Sequence, residues 1–134
     1  MTNQTNSCVL LADRHHGLRD SVRGVLELEF ESVFMVANEA SLVEGVGRLK
    51  PAIVVLDLSL AGGNLHGLLT RITERSPGSK VLMLTVHDEA TVAQAALAAG
   101  AEAVVLKSRL ATDLLPAVDA LRGGRRYLSS ELSR

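Results

Sequence analysis

Cysteine is nearly absent from this sequence. Cys8 stands alone, so no disulfide can form within the chain, and its place at the head of an apolar run suits a small buried side chain in a reducing cytoplasm. An excess of one charge is missing too. With 14 Lys and Arg against 15 Asp and Glu, the formal net charge is −1, which gives no electrostatic footprint for direct contact with nucleic acid or a membrane surface. A DNA-binding role would therefore need a part outside this chain. No apolar run approaches membrane-spanning length, and the opening MTNQTNS has neither the basic residues nor the apolar stretch of a signal peptide. Residues 1–7 read as a frayed, disordered tail. No glycine-rich phosphate loop follows the first apolar run, where ADRHHG stands instead, which argues against a small enzyme or nucleotide binder.

What is present is an alternation. At 134 residues and 47% hydrophobic content, the chain has the size of one three-layered domain. Short apolar runs at 8–13, 33–37, 52–57, 80–85 and 103–107 are rich in Val, Ile and Leu without a polar alternate, as strands buried on both faces are. Between them the period is helical. Leu18, Val22, Val25, Leu26 and Phe30 share a stripe that Arg19, Arg23, Glu27 and Glu31 avoid; Leu42, Val46 and Leu49 repeat the pattern until Pro51 stops it. HDEATVAQAALAAG reads as an Ala-rich helix with acids in its first turn, Gly100 past its end and a thin apolar face. The last helix, near 112–122, contains Pro116, so either Thr112 caps a late start or the helix kinks. Five such units with right-handed crossovers predict an α/β fold with a parallel sheet in the order 2-1-3-4-5 and helices on both faces. The domain is expected over 8–124, with 125–134 as the start of a linker that has little to pack.

In an open parallel sheet, ligand chemistry gathers at the carboxyl ends of the strands. Four of the apolar runs end on Asp13, Asp57, Thr85 and Lys107: two acids, a hydroxyl and an amine from separate segments. A solvated strand end explains any one of them, but hardly all of them together.

With these residues in place, the chain resembles a response regulator receiver domain of two-component signalling, of the NarL/FixJ (LuxR-type) class. VVLDLSLAGG is similar to the phosphoacceptor strand and loop, VLMLTVHDE to the strand carrying the switch threonine, AGAEAVVLKS to the strand ending in the pocket lysine, and LRGGRRYLSSEL to the end of the last helix, after which a helix-turn-helix normally follows. The resemblance implies a flavodoxin-like (βα)5 three-layer sandwich. It implies Asp57 as the phosphoacceptor, fed by a sensor histidine kinase or a small phosphodonor, with Thr85 on the phosphoryl oxygens and Lys107 on its charge. It also implies a Mg²⁺ site from Asp13, Asp57 and the Ser59 backbone carbonyl.

The sequence departs from that pattern where the metal belongs. Receivers ordinarily carry two adjacent acids at the end of the first strand; here the second position is Arg14, which has no lone pair to give a metal. Asp13 and Asp57 against Arg14 and Lys107 sum to zero, so the pocket can be neutral with no metal in it. In one reading the guanidinium lies within reach of Asp13 or Asp57; in the other it points into solvent and only a ligand is lost. Either way Mg²⁺ binding, and with it Mg²⁺-dependent phosphorylation, is expected to be weak or absent. The aromatic usual three residues before the lysine is Val104, and Ala61 and Leu65 replace a usual proline and glycine after the phosphoacceptor, leaving Gly62 and Gly63 to make the turn.

The histidines offer no metal spacing. His15 and His16 are adjacent and cannot face the same way on a helix, while His66 and His87 fall in or after the loops following Asp57 and Thr85; a transition-metal site combining one of these with Asp13 and Asp57 is the alternative. The expected function is a cytoplasmic, non-enzymatic signalling module from a transcriptional regulator. It would form a homodimer through the fourth or fifth helix, and reach DNA only through a separate domain. The alternative is a phosphorylation-independent dimerisation or interaction module in which Asp57 is never modified.

Overall fold

The computed structural model describes residues 8–14 and 16–132, with the side chains of 16–19 and 131 outside that description. The expectations for residues 1–7, for His15 and for the side chains of His16 and Leu18 therefore lie outside the described residues. Five strands form where the apolar runs predict: β1 (Cys8–Ala12), β2 (Ser32–Val36), β3 (Ile53–Asp57), β4 (Lys80–Thr85) and β5 (Ala103–Leu106). A sixth, β6 (Tyr127–Leu128), extends the sheet, which runs β2-β1-β3-β4-β5-β6 with every pairing parallel. The expected order is intact within it.

Alternate residues of the central strands face opposite sides, and each side has its own core. Leu10, Val54, Leu56, Met83 and Val104 pack against α2 (Glu39–Leu49), α3 (Leu65–Arg75) and α4 (Ala90–Ala99). Val9, Leu11, Val55, Leu82, Leu84 and Val105 meet Val22 and Leu26 of α1 (His16–Leu26) and Leu114, Val118 and Leu121 of α5 (Leu110–Arg122). Each fully buried Leu, Ile or Val contributes about 1.5–3 kcal/mol relative to exposure, so the absence of polar alternates in the strands is what makes them central.

The helix ends differ from expectation in ways that local chemistry explains. α1 stops at Leu26, and Phe30 reaches the core from the turn that follows, its amide bonded to the Leu26 carbonyl. Asp88 and Glu89 precede α4 rather than filling its first turn, while Gly100, at φ +121°, terminates it as expected. Asn38 and Asn64 cap α2 and α3, accepting from the Ser41 and Gly67 amides. α5 begins at Leu110 and continues through Pro116, whose missing N–H leaves the Thr112 carbonyl without an intrahelical donor. Thr112 is not its cap; its hydroxyl donates back to the Arg109 carbonyl.

The largest difference is the segment after α5, which was expected to have little to pack. Tyr127 and Leu128 pair with Ala103 and Val104, a short 3-10 turn covers Ser130–Leu132, and Leu132 is fully buried in the cluster that holds Ala93 and Ala96 of α4. Leu128 and Leu132 thus supply apolar mass that the Ala-rich helix lacks.

Candidate functional site

Parallel pairing aligns the strand ends. Asp57 is opposite Leu84 and Thr85 opposite Leu106, so the last residue of β3, the last of β4 and the residue after β5 come to one edge. The Asp13 amide donates to the Val36 carbonyl at 3.1 Å, extending the β1–β2 pairing by one residue and fixing that acid at the same edge. Asp13, Asp57, Thr85 and Lys107 therefore converge, as the sequence predicts.

All of these side chains are nearly out of solvent: Asp13, Asp57 and Thr85 are exposed by 2% or less, and the Lys107 side chain by 10%. Lys107 is the reason two acids are tolerated there. Its ammonium lies 2.8 Å from Asp57 Oδ1 and 3.6 Å from Asp13 Oδ2, bridging the pair. The Ser59 hydroxyl donates to the other Asp57 oxygen, Oδ2. Both oxygens of the candidate nucleophile are thus held. Thr85 Oγ1 accepts from the His87 amide at 3.0 Å, tying the hydroxyl to the loop after β4. A pocket of about 260 Å³ opens beside Asp57, lined also by Leu58, Ser59, Thr85, Val86, His87 and Lys107.

Arg14 reaches across to the loop after β3. Although the residue is exposed, its Nη2 donates to the Ser59 carbonyl at 2.9 Å, bridging the end of β1 to the loop after β3. That carbonyl is one of the oxygens the family resemblance assigns to Mg²⁺. Two of the oxygens that would serve Mg²⁺, an ion of near-octahedral oxygen coordination, already have cationic partners: the Ser59 oxygen faces a guanidinium and Asp57 Oδ1 faces an ammonium. Among the described residues no group of three or more His, Cys, Asp or Glu could hold a metal. His87 lies at the pocket wall with its side chain 58% exposed and Nδ1 3.8 Å from Glu89, and His66 lies in the first turn of α3.

Val104 is fully buried in the core. Gly62, at φ +62°, follows the 3-10 turn Leu58–Ala61 and makes the bend that leads to Asn64 and α3. Sequence reasoning named Ser59 only for its carbonyl and missed its hydroxyl. It also missed Asp113 and Ser129, both buried close to the Lys107 turn. Burial alone would raise the Asp113 pKa, but hydrogen bonds from Ser129, Arg109 and Thr112 outweigh it and hold the carboxyl below its ordinary value.

A parallel doubly wound sheet with two acids, a hydroxyl and an amine at its carboxyl edge defines a class of signalling α/β domain, and the comparisons with known proteins agree. The response regulator receiver domain family matches residues 9–119, and the chain belongs to that family. It is 28% identical over 135 residues to the nitrate/nitrite response regulator NarL of Escherichia coli K12, covering 99% of this chain and 62% of that protein. The chain thus spans less than two thirds of that relative. A LuxR-family two-component response regulator from Aurantimonas sp. SI85-9A1 superposes with a TM-score of 0.85 at 26% identity, covering 96% of this chain and 93% of the other. The isolated receiver domain of RcsB from Salmonella enterica serovar Typhimurium, solved with the phosphomimetic BeF3−, gives 0.82 at 25% identity over 96% and 97%. The chain is a NarL/LuxR-type receiver domain.

Proposed function

We propose that this receiver serves a two-component transcriptional regulator and takes a phosphoryl group on Asp57 slowly, because Arg14 stands where the metal-binding carboxylate of an ordinary receiver would be. The observation that carries the reading is the Arg14 bond to the Ser59 carbonyl. In the step itself, an Asp57 oxygen attacks the phosphorus of a phosphohistidine or of acetyl phosphate. The P–N or P–O bond breaks, imidazole or acetate departs, and an acyl phosphate forms. Lys107, 2.8 Å from the carboxylate, faces the incoming charge; Thr85 supplies a hydroxyl at the pocket wall. The Ser59 donation to Oδ2 draws electron density from the nucleophile and slows attack.

The partners this implies are a sensor histidine kinase, a second copy through α4 or α5, and DNA through a domain outside this chain, all in the cytoplasm. The role is signalling rather than catalysis of turnover. No described helix is long and apolar enough to cross a membrane.

A second reading is favoured by the occupation of both Asp57 oxygens: a phosphorylation-independent interaction module in which Lys107 and Ser59 lock the carboxylate. Intact mass after incubation with acetyl phosphate, with and without Mg²⁺, separates the two. Slow gain of one phosphoryl group, lost in Asp57→Asn, supports the first; no gain in either condition supports the second. Rapid Mg²⁺-dependent gain overturns both.

A further inference from the structure

We infer that Ser129 and Asp113 are positioning residues for Lys107, so that the segment after the last helix holds the pocket's amine in place. The inference rests on the reading of Lys107 as the counter-ion of Asp57, and concerns what keeps that ammonium there.

Lys107 begins a 3-10 turn, Lys107–Arg109, between β5 and α5. Such a turn is short and makes few bonds of its own, so its register depends on what grips it from outside. Both sides are gripped through one carboxylate. Before it, the Leu106 amide donates to Ser129 Oγ at 3.0 Å, and that hydroxyl donates to Asp113 Oδ2 at 2.7 Å. At the end of the turn, Arg109 Nε donates to the same Asp113 oxygen at 3.1 Å. Thr112 Oγ1, 3.2 Å from both the Arg109 carbonyl and Asp113 Oδ1, shares its one proton between them. The chain from Leu106 through Ser129 and Asp113 to Arg109 forms a closed ring, and Lys107 is inside it.

The ring is dry. Ser129 is fully buried and Asp113 is 5% exposed, so water cannot substitute readily when a member is removed. Ser129 is itself seated by the sixth strand, its amide bonded to the Val104 carbonyl at 3.0 Å, while Leu132 anchors the following turn. A segment outside the five βα units thereby fixes the backbone on which the pocket amine stands. Leu106 N–H, the last amide of β5, has a side-chain partner where a longer strand would have supplied a carbonyl.

The test reads the amine directly. The full chain is treated with acetic anhydride, and acylation of Lys107 is compared by peptide mass spectrometry with that of Lys50 and Lys80, the other lysines of the sequence. The lone thiol, Cys8, at the opposite end of β1 and only partly buried rather than buried as its apolar run suggests, reports loosening that is not confined to the Lys107 edge through its rate of reaction with a disulfide reagent. Ser129→Ala should raise Lys107 acylation about fivefold, as loss of one net hydrogen bond allows, with Lys50, Lys80 and Cys8 unchanged. Ser129→Thr keeps the hydroxyl and should stay within about twofold of wild type, and Asp113→Asn should behave like the alanine variant. Lys107 acylation unchanged in both Ser129→Ala and Asp113→Asn, or rising only in step with Cys8, would overturn the inference. Phosphorylation of Asp57 does not enter this readout, so its failure leaves the ring standing, and failure of the ring leaves the Asp57 reading intact.

Discussion

Replacing Arg14 with aspartate should turn a poor Mg²⁺ site into a good one. Asp13, Asp57 and Lys107 of the wild-type pocket, taken with Arg14 on the Ser59 carbonyl beside it, have a formal sum of zero; Arg14→Asp removes a cation and adds an anion, giving −2. The loss is small. Arg14 is exposed, and its bond to the Ser59 carbonyl is one hydrogen bond at the surface, about 0.5–1.5 kcal/mol. The gain for a divalent ion is larger. A unit charge 4 Å from another interacts by about 4 kcal/mol at an effective dielectric of 20, so exchanging a repelling guanidinium for a ligating carboxylate should exceed the loss even after solvent screening. Mg²⁺ affinity should therefore rise at least about tenfold, or about 1.4 kcal/mol. Calorimetric titration with MgCl2 is the assay, because the chain has no tryptophan to report binding. At Mg²⁺ concentrations about a hundredfold above Kd, the variant should also gain about 2.7 kcal/mol of stability that EDTA removes. Phosphorylation of Asp57 should be faster in the same variant. If wild-type protein binds Mg²⁺ at least as tightly as Arg14→Asp, the guanidinium does not stand in the metal's way and the reasoning fails.

Leu132→Ala should cost about 2–5 kcal/mol, because Leu132 is fully buried against α4. An unchanged urea midpoint would mean the terminal turn is not part of the core. Asp113 adds a pH dependence whose sign follows from its lowered pKa. A carboxyl held below its ordinary 3.8 stabilises the fold at pH values above 3.8 and loses that contribution as pH falls through the folded-state value. Wild type and Asp113→Asn should therefore differ in urea midpoint at pH 7 and converge below about pH 4, whereas a constant gap would show that the carboxylate charge contributes nothing.

The sheet was legible in the sequence because burial on both faces leaves a signature each strand carries alone: an apolar run with no polar alternate, ended by a polar residue. That signature located β1, β3, β4 and β5 to within a residue or two, and it brought Asp13, Asp57, Thr85 and Lys107 forward as a group. That a cation, Arg14, directly follows Asp13 was legible too, since it depends only on the order of residues. Where that guanidinium goes was not. Its partner is the Ser59 carbonyl, a backbone atom that every residue type carries alike, reached only when the loop after β3 folds against the end of β1. Tyr127 and Leu128 form too short a strand to show a period, and their pairing partner lies across the whole of α5. Asp113 looks like any first-turn acid of a surface helix until Ser129, Thr112 and Arg109 close on it. Local pattern determined which segments are buried; contacts between residues distant in the chain decided which polar atoms meet inside.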